Sequence, residues 1–218
     1  MQDAAGGFRT SMEEFVSTVT CWPSLLSMAA SFDVQLMRDF SLALGAEFAG
    51  KGAQVILGPS INVHRVARGG RNFEYLSGED PYLGAAMTRE YVRGVQEMGV
   101  ATVTKHFVFN SAPIRARAFC LCRPGAVLTP TAWTDQETNR DSESSVVDDK
   151  TAWELYYPPF EAAVDAGGVG FMCSYNKDDG VFSCSNHKRL VEDLKGKMGF
   201  EGFGAHQRPC LHIHFCGG

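Results

Sequence analysis

The chain alternates helical and extended segments with short connections, and this alternation limits its possible folds more than any other feature. Asp33 is suited to cap a helix that sets Leu36, Met37, Phe40, Leu44 and Phe48 on one stripe and ends at Gly50 and Gly52. Ala53-Gln54-Val55-Ile56-Leu57 follows as a short buried strand, stopped by Gly58-Pro59. A second helix is expected from about Leu83 to Met98, with Met87, Tyr91 and Val95 on one face. Gly99 ends it, and Val100-Ala101-Thr102-Val103-Thr104 reads as the next strand. A third amphipathic segment spans residues 151–166 and precedes a strand at Val169-Gly170-Phe171-Met172-Cys173. Asn186 is placed to cap a last helix through Leu190 and Leu194, ending near Gly199. Alternation of this kind points to parallel strand–helix–strand units. The polar, aperiodic stretches fall after the strands: Asn62 to Arg71, Lys105-His106, and Tyr175-Asn176. In a (β/α)8 barrel that end of the strands carries the active site. A complete barrel takes roughly 250 residues, and this chain has 218. The expected fold is therefore α/β, an incomplete (β/α)8 TIM-type barrel.

Composition removes several other classes. With 44% hydrophobic and 21% charged residues the chain can bury a core and is not disordered. The net charge of -5, with no stripe of Lys or Arg, argues against a nucleic-acid partner. No apolar run approaches the ~20 residues needed to cross a bilayer. Met1 to Gly7 lacks the charged-then-apolar plan of a signal peptide, so the chain as written is expected to be cytoplasmic. Cys173 and Cys184 flank the turn-rich stretch Asn176-Lys177-Asp178-Asp179-Gly180. Their spacing allows either a short disulfide loop or two buried thiols.

The richest local signal is the run from Gly69 to Gly84. It holds Gly69-Gly70-Arg71-Asn72-Phe73-Glu74-Tyr75 and then Ser77-Gly78-Glu79-Asp80-Pro81-Tyr82, three carboxylates among them, with neither helical nor strand period. Thr104-Lys105-His106-Phe107 follows at a distance of 34 residues from Arg71 to Lys105. An Arg and a Lys are fixed donors and a His can donate or accept. The same residues also fit a bland account. Arg71 would pair with Glu74 or Asp80, and His106 would be a satisfied core residue.

These two segments, in this order, resemble the Arg-Asn-Phe-Glu…Glu-Asp-Pro and Lys-His-Phe motifs of glycoside hydrolase family 3. The likeness extends over residues 3–110 and 135–203, including Gln136-Glu137-Thr138-Asn139-Arg140, and is nearest to the β-glucosidase branch. It implies retaining hydrolysis of terminal β-D-glucosyl residues on an N-terminal barrel, with no cofactor, a β-glucoside or oligosaccharide as substrate, and a second, C-terminal α/β domain in the parent enzyme. It also implies roles for particular positions. Asp3 and Arg9, in Asp3-Ala4-Ala5-Gly6-Gly7-Phe8-Arg9, match the family's sugar-binding Asp and its motif Arg, although the family's Gly-Pro is Ala4-Ala5 here. Arg71, Lys105 and His106 match the trio that holds sugar hydroxyls. Met172 and Tyr175 match a subsite wall, with core packing as the rival account of Met172. Secreted relatives favour the disulfide for Cys173 and Cys184, and the parent family is often secreted.

Two stretches depart from that pattern. Residues 111–134 carry Cys-Leu-Cys, three Arg and three Pro where family members pass almost directly to Gln-Glu-Thr-Asn-Arg, so an atypical insertion, read as translated non-coding sequence, is expected to interrupt a domain at 1–203. The tail 204–218 is off-pattern. Counting from Gly199-Phe200-Glu201-Gly202-Phe203 puts the family's nucleophilic Asp at Gln207, and an amide cannot form the glycosyl ester. The general acid of the family lies in its later domain. Both catalytic carboxylates are thus expected to be missing from this chain, which is read as an inactive fragment; a non-catalytic sugar-binding protein is the alternative. His206, Cys210, His212, His214 and Cys216 are zinc-ligand types, but their spacing fits no common finger, and no metal is expected.

Overall fold

The computed structural model describes residues 1–9, 13–65, 67, 69–110 and 143–205. Eight strands are present there: β1 (Gln2–Asp3), β2 (Val55–Leu57), β3 (Ala101–Phe107), β4 (Ser144–Ser145), β5 (Gly170–Cys173), β6 (Lys177–Asp178), β7 (Val181–Phe182) and β8 (Phe203–Ala205). Five of them form one parallel sheet in the order β1-β2-β3-β5-β8. Within this sheet each strand lies beside the next of its members in chain order, with no reversal. A doubly wound sheet would show a switch point; this singly wound strip is that of an incomplete (β/α)8-type barrel, as the alternation predicts. The other three strands make a small sheet, β4-β6-β7. Its β6–β7 hairpin turns through Asp179 and Gly180 with φ of 47° and 87°, the positive pair that a tight hairpin needs.

Helices fill the intervals: α1 (Leu25–Ala29), α2 (Val34–Gly50), α3 (Pro81–Glu97), α4 (Asp149–Thr151) and α5 (Pro158–Asp165), with π-helical segments at Ala152–Tyr156 and Lys188–Lys197. Asp33 caps α2 as expected, its carboxylate accepting from the N–H groups of Gln35 and Leu36. Asp80 does the same for α3 with Pro81 in its first turn, so that helix begins two residues before Leu83. Met37, Phe40, Leu44 and Phe48 are buried, but Leu36 is 45% exposed and does not belong to the stripe. The reason is the direction from which α3 approaches. Gly94 sits so near Ser41 that a Cβ would lie 2.6 Å from the Ser41 Cβ, which centres the buried face on 37, 41, 44 and 48. The expected single helix over 151–166 is instead divided. Pro158 and Pro159 offer no N–H to the preceding turn, so the helix restarts there as α5.

Aromatic rings lock β3 and β5 onto this helix layer. The Phe107 ring stacks on Tyr157 and meets Phe160 and Phe171 edge-on at centroid distances of 5.1–6.0 Å. Fully burying each such ring contributes on the order of 1.5–3 kcal/mol. The small sheet is pinned to the same layer by Arg189, which is almost fully buried. Its guanidinium reaches Asp178 of β6 at 2.6 Å, Asp193 at 3.2 Å and the Tyr157 hydroxyl at 3.2 Å, and it covers the Phe109 ring at 4.9 Å. Asn186 serves this region as well as capping: its Oδ1 accepts the Arg189 N–H and its amide donates to Asp178. Cys173, the last residue of β5, is disulfide-bonded to Cys184. β8 pairs with β5 from Phe203 to Ala205, so regular structure continues two residues into the stretch taken as an off-pattern tail. Residues 111–134 and 206–218 lie outside the described residues.

Candidate functional site

Register brings the first charged pair together. Asp3 is the Cα partner of Leu57, and β2 pairs with β3 so that Ile56 stands opposite Thr102. Asp3 is therefore level with Val103, two residues short of Lys105 and on the same face of the sheet. The Lys105 Nζ crosses this gap and donates to the Asp3 carboxylate at 2.7 Å. It also lies 3.7 Å from the Glu74 carboxylate, which is ion-paired with Arg71. The four side chains form an alternating row, Arg71, Glu74, Lys105 and Asp3, in which Lys105 and Glu74 are each only 3% exposed. Two buried charges of opposite sign can persist there only because each has a partner. Burial pushes the Asp3 carboxyl upward, but the Lys105 charge and hydrogen bond, the Ala4 N–H and the Arg71 charge outweigh it. The group is held below the ordinary carboxylate range.

The chain after β2 runs on beside β3 and delivers the rest. The Lys105 N–H donates to the Pro59 carbonyl, the Ile61 N–H to Lys105, and the Leu76 N–H to Ser60. Asn62 then grips the backbone of His106 from both sides. Its amide nitrogen donates to the His106 carbonyl at 2.9 Å, and its Oδ1 accepts the His106 N–H at 2.7 Å. The His106 ring is fully buried, with Nδ1 2.6 Å from the Tyr75 hydroxyl, and the Asn110 amide donates to that hydroxyl at 3.4 Å. The His64 ring meets Tyr75 edge-on at 5.8 Å. Burial lowers the His64 pKa against a smaller opposing pull from Glu79, which keeps that imidazole neutral near pH 7.

The residues singled out from the sequence are thus only partly gathered. Asp3, Arg71 and Lys105 share one charge row. His106 follows Lys105 and is fixed by Asn62 and Tyr75. Met172 is the Cα partner of Lys105 on β5 and is almost fully buried. Tyr175 is half-buried in the turn between β5 and β6, and Arg9 is exposed. Arg9 and Asp3 line a cavity of about 360 Å³ with Phe8, Thr20 and Cys21, apart from Lys105. A larger groove of about 530 Å³ runs among Tyr82, Arg89, Glu161, Asp165 and Lys197 on the helix layer and shares no residue with the site. Gln207 and the His and Cys residues of the tail lie outside the described residues. Sequence reasoning did not assign Ser60, Asn62, Glu74, Tyr75 or Asn110 to the site. Three of them were visible in the aperiodic polar stretches, but without a period nothing marked which side chains turn inward. The Arg71–Glu74 ion pair of the bland account is present, while Asp80 is spent on capping α3.

The profile of the glycosyl hydrolase family 3 N terminal domain matches residues 2–112, just over half the chain. The chain belongs to glycosyl hydrolase family 3. It is 36% identical to a probable beta-glucosidase M of Aspergillus fumigatus over 228 aligned residues, covering 100% of this chain and 26% of that protein. It is 38% identical to a beta-glucosidase of Rhizobium radiobacter, over 85% of this chain and 20% of the relative. Among solved structures, beta-glucosidase 3B from Thermotoga neapolitana in complex with glucose matches with a TM-score of 0.78 and 31% identity, over 94% of this chain and 26% of that one. DesR, a beta-glucosidase from Streptomyces venezuelae in complex with D-glucose, matches at a TM-score of 0.76 and 28% identity. This family 3 chain therefore spans about a quarter of the length of its relatives.

Proposed function

We propose that this chain is the hydroxyl-holding part of a β-glucosidase barrel, serving the terminal glucosyl residue of a β-glucoside in the whole enzyme. The observation that carries the reading is the charge row itself. Lys105 sits where three strand ends converge, bonded to Asp3 and close to the Glu74 that anchors Arg71. A carboxylate there can accept protons from two ring hydroxyls, while the ammonium and guanidinium donate. Met172, beside Lys105 in register, and Tyr175, in the turn after β5, would face the sugar ring as an apolar wall.

Binding of this kind accelerates hydrolysis only where contacts strengthen in the transition state. A retaining glycosidase also needs a nucleophilic carboxylate and an acid about 5–5.5 Å apart. Gln207 occupies the nucleophile position by motif count, and an amide forms no glycosyl ester. The chain as given should therefore neither hydrolyse an aryl β-glucoside above background nor gain mass with a 2-fluoroglucoside. Restoring the family's Val-x-Ser-Asp-Trp order after Phe203 should permit labelling with slow or no turnover. Hydrolysis or labelling by the unaltered chain, with host enzymes excluded, would overturn the reading.

A further inference from the structure

We infer that Phe182, with Lys177 beside its ring, is the platform for a second sugar unit, the one joined to the terminal glucosyl residue of the β-glucoside. This rests on the sugar site proposed above and adds to it a surface that prefers a disaccharide to glucose. Phe182 lies on the β6–β7 hairpin and is 49% exposed. The side to which it points follows from the alternation of side chains along a strand. Asp178 turns to the helix layer, where the Arg189 guanidinium reaches it at 2.6 Å and the Asn186 amide at 3.0 Å. Its neighbour Lys177, and Phe182 as the register partner of Lys177, therefore point away from the helices. Burial alternates in the same sense: Ser174, Asn176 and Asp178 are buried, whereas Tyr175 and Lys177 are partly exposed. The hairpin also stands on the strand ends that carry the charge row. The Ser174 N–H donates to the Phe107 carbonyl at 2.7 Å, and the Asn176 amide to the carbonyl of Val108, just beyond Lys105-His106-Phe107, at 3.3 Å. Phe182 thus shares the C-terminal end of the sheet with Lys105 and Tyr175.

The backbone under this exposed ring is tied down at its base and at its tip. The Cys173–Cys184 disulfide closes the base. Both the N–H and the hydroxyl of Ser183 donate to the Asn176 carbonyl, at 3.0 and 2.8 Å. At the tip, the Gly180 N–H donates to the Ser144 hydroxyl at 2.7 Å. An aromatic ring on so fixed a support loses little freedom when a ligand settles on it, which is what a recognition surface requires. The Lys177 ammonium lies 4.7 Å from the centroid of the Phe182 ring. A flat apolar ring next to an ammonium donor matches the two surfaces of a pyranose. The C–H face of the sugar packs on the ring, and its hydroxyl oxygens accept from the ammonium. An aryl aglycone would use the ring and give the ammonium no hydroxyl to bond. Phe182 is therefore a specificity residue: it touches the unit beyond the glycosidic bond and governs which glucosides are held.

The test is equilibrium titration of the full chain with D-glucose, with cellobiose (two glucose units in β linkage) and with phenyl β-D-glucoside. Cellobiose should bind about tenfold more tightly than glucose, the share of one aromatic contact. Phe182→Ala should bring cellobiose down to the glucose level and leave glucose binding and the melting temperature in place, because the ring is half exposed and apart from the charge row. Phe182→Tyr should keep the preference. Lys177→Met should weaken cellobiose about fivefold, the share of one hydrogen bond, without weakening phenyl β-D-glucoside. Glucose binding with no preference for cellobiose, or a preference that survives Phe182→Ala, overturns the platform and leaves the glucosyl site standing. Phenyl β-D-glucoside held more tightly than cellobiose, with the difference lost in Phe182→Ala, overturns the assignment to a second sugar. A chain that binds none of the three ligands overturns the platform and the glucosyl site together.

Discussion

Arg189→Met should be the most damaging single substitution outside the hydrophobic core, and its cost can be worked from who is left behind. The guanidinium serves Asp178 and Asp193, whose side chains are 4% and 0% exposed. Asp193 would keep the Lys197 ammonium at 2.7 Å and the Tyr157 hydroxyl at 2.9 Å. Asp178 would keep only the neutral Asn186 amide at 3.0 Å, and its Oδ1 already has no partner. Removing one member of a buried pair and stranding the other typically costs about 3–5 kcal/mol. For a chain of this size each kcal/mol moves the melting temperature by about 2–4 °C, so a drop of about 6–20 °C is expected. Met fills much of the volume, so the loss reports charge more than a cavity. Adding Asp178→Asn removes the stranded charge and should restore about half of the loss, because an amide is far cheaper to bury than an anion. Thermal and urea melts of the two single variants and the double variant decide it. A loss below about 1 kcal/mol in Arg189→Met, or no recovery in the double variant, would refute the stranded-charge argument.

Reducing the Cys173–Cys184 bond, or replacing it by Cys184→Ser, should cost about 2–3 kcal/mol for a loop with a sequence separation of 11, read as the difference between melts with and without reductant. Because the folded-state pKa of Asp3 is depressed, its contribution to stability is present above the ordinary carboxylate value and is lost as pH falls through the folded value; Asp3→Asn should flatten that part of an acid melt series. If Asp3→Asn leaves the acid limb unchanged, the Lys105–Asp3 bond is not the cause. Deleting residues 111–134, so that Asn110 is followed by Asp135, should raise soluble yield or melting temperature, and a clear loss on deletion would show that the segment belongs to the barrel.

The parallel architecture was legible because it depends on chemistry repeated over many residues. Met87, Tyr91 and Val95 announce the buried face of α3 at helical spacing, and Gly99, with φ of 77°, announces its end. What escaped was short. β1 and β8 have two and three residues, too few for any period, and they exist because neighbouring strands supply their hydrogen bonds. The π-helical turn Ala152–Tyr156 escaped for a similar reason. It accommodates the Pro158–Pro159 break while keeping Tyr156 and Tyr157 buried, a compromise set by packing and not by propensity.

The site divides along the same line. Arg71, Lys105 and His106 could be singled out because they match the family's Arg-Asn-Phe-Glu and Lys-His-Phe motifs. Their supporting residues could not. Asn62 matters only because the chain after β2 runs beside β3, which brings its amide to the backbone of a residue 44 positions away. Glu74 is read from sequence as a local partner of Arg71, and it is one; only the fold shows that Lys105 approaches the same carboxylate from 31 residues downstream. That second approach changes what the pair means. An isolated Arg71–Glu74 contact would neutralise both groups and no more. With Lys105 and Asp3 added, the row still sums to zero but is buried at its centre and open toward Asp3, whose side chain is 35% exposed against 3% for Lys105. A neutral ligand rich in hydroxyls can replace water at that open end without stranding a charge, whereas an anionic or cationic ligand would unbalance the row. On the function proposed above, an uncharged sugar would be favoured over a uronate or an amino sugar, a preference that would follow from the pairing and from no single residue in it.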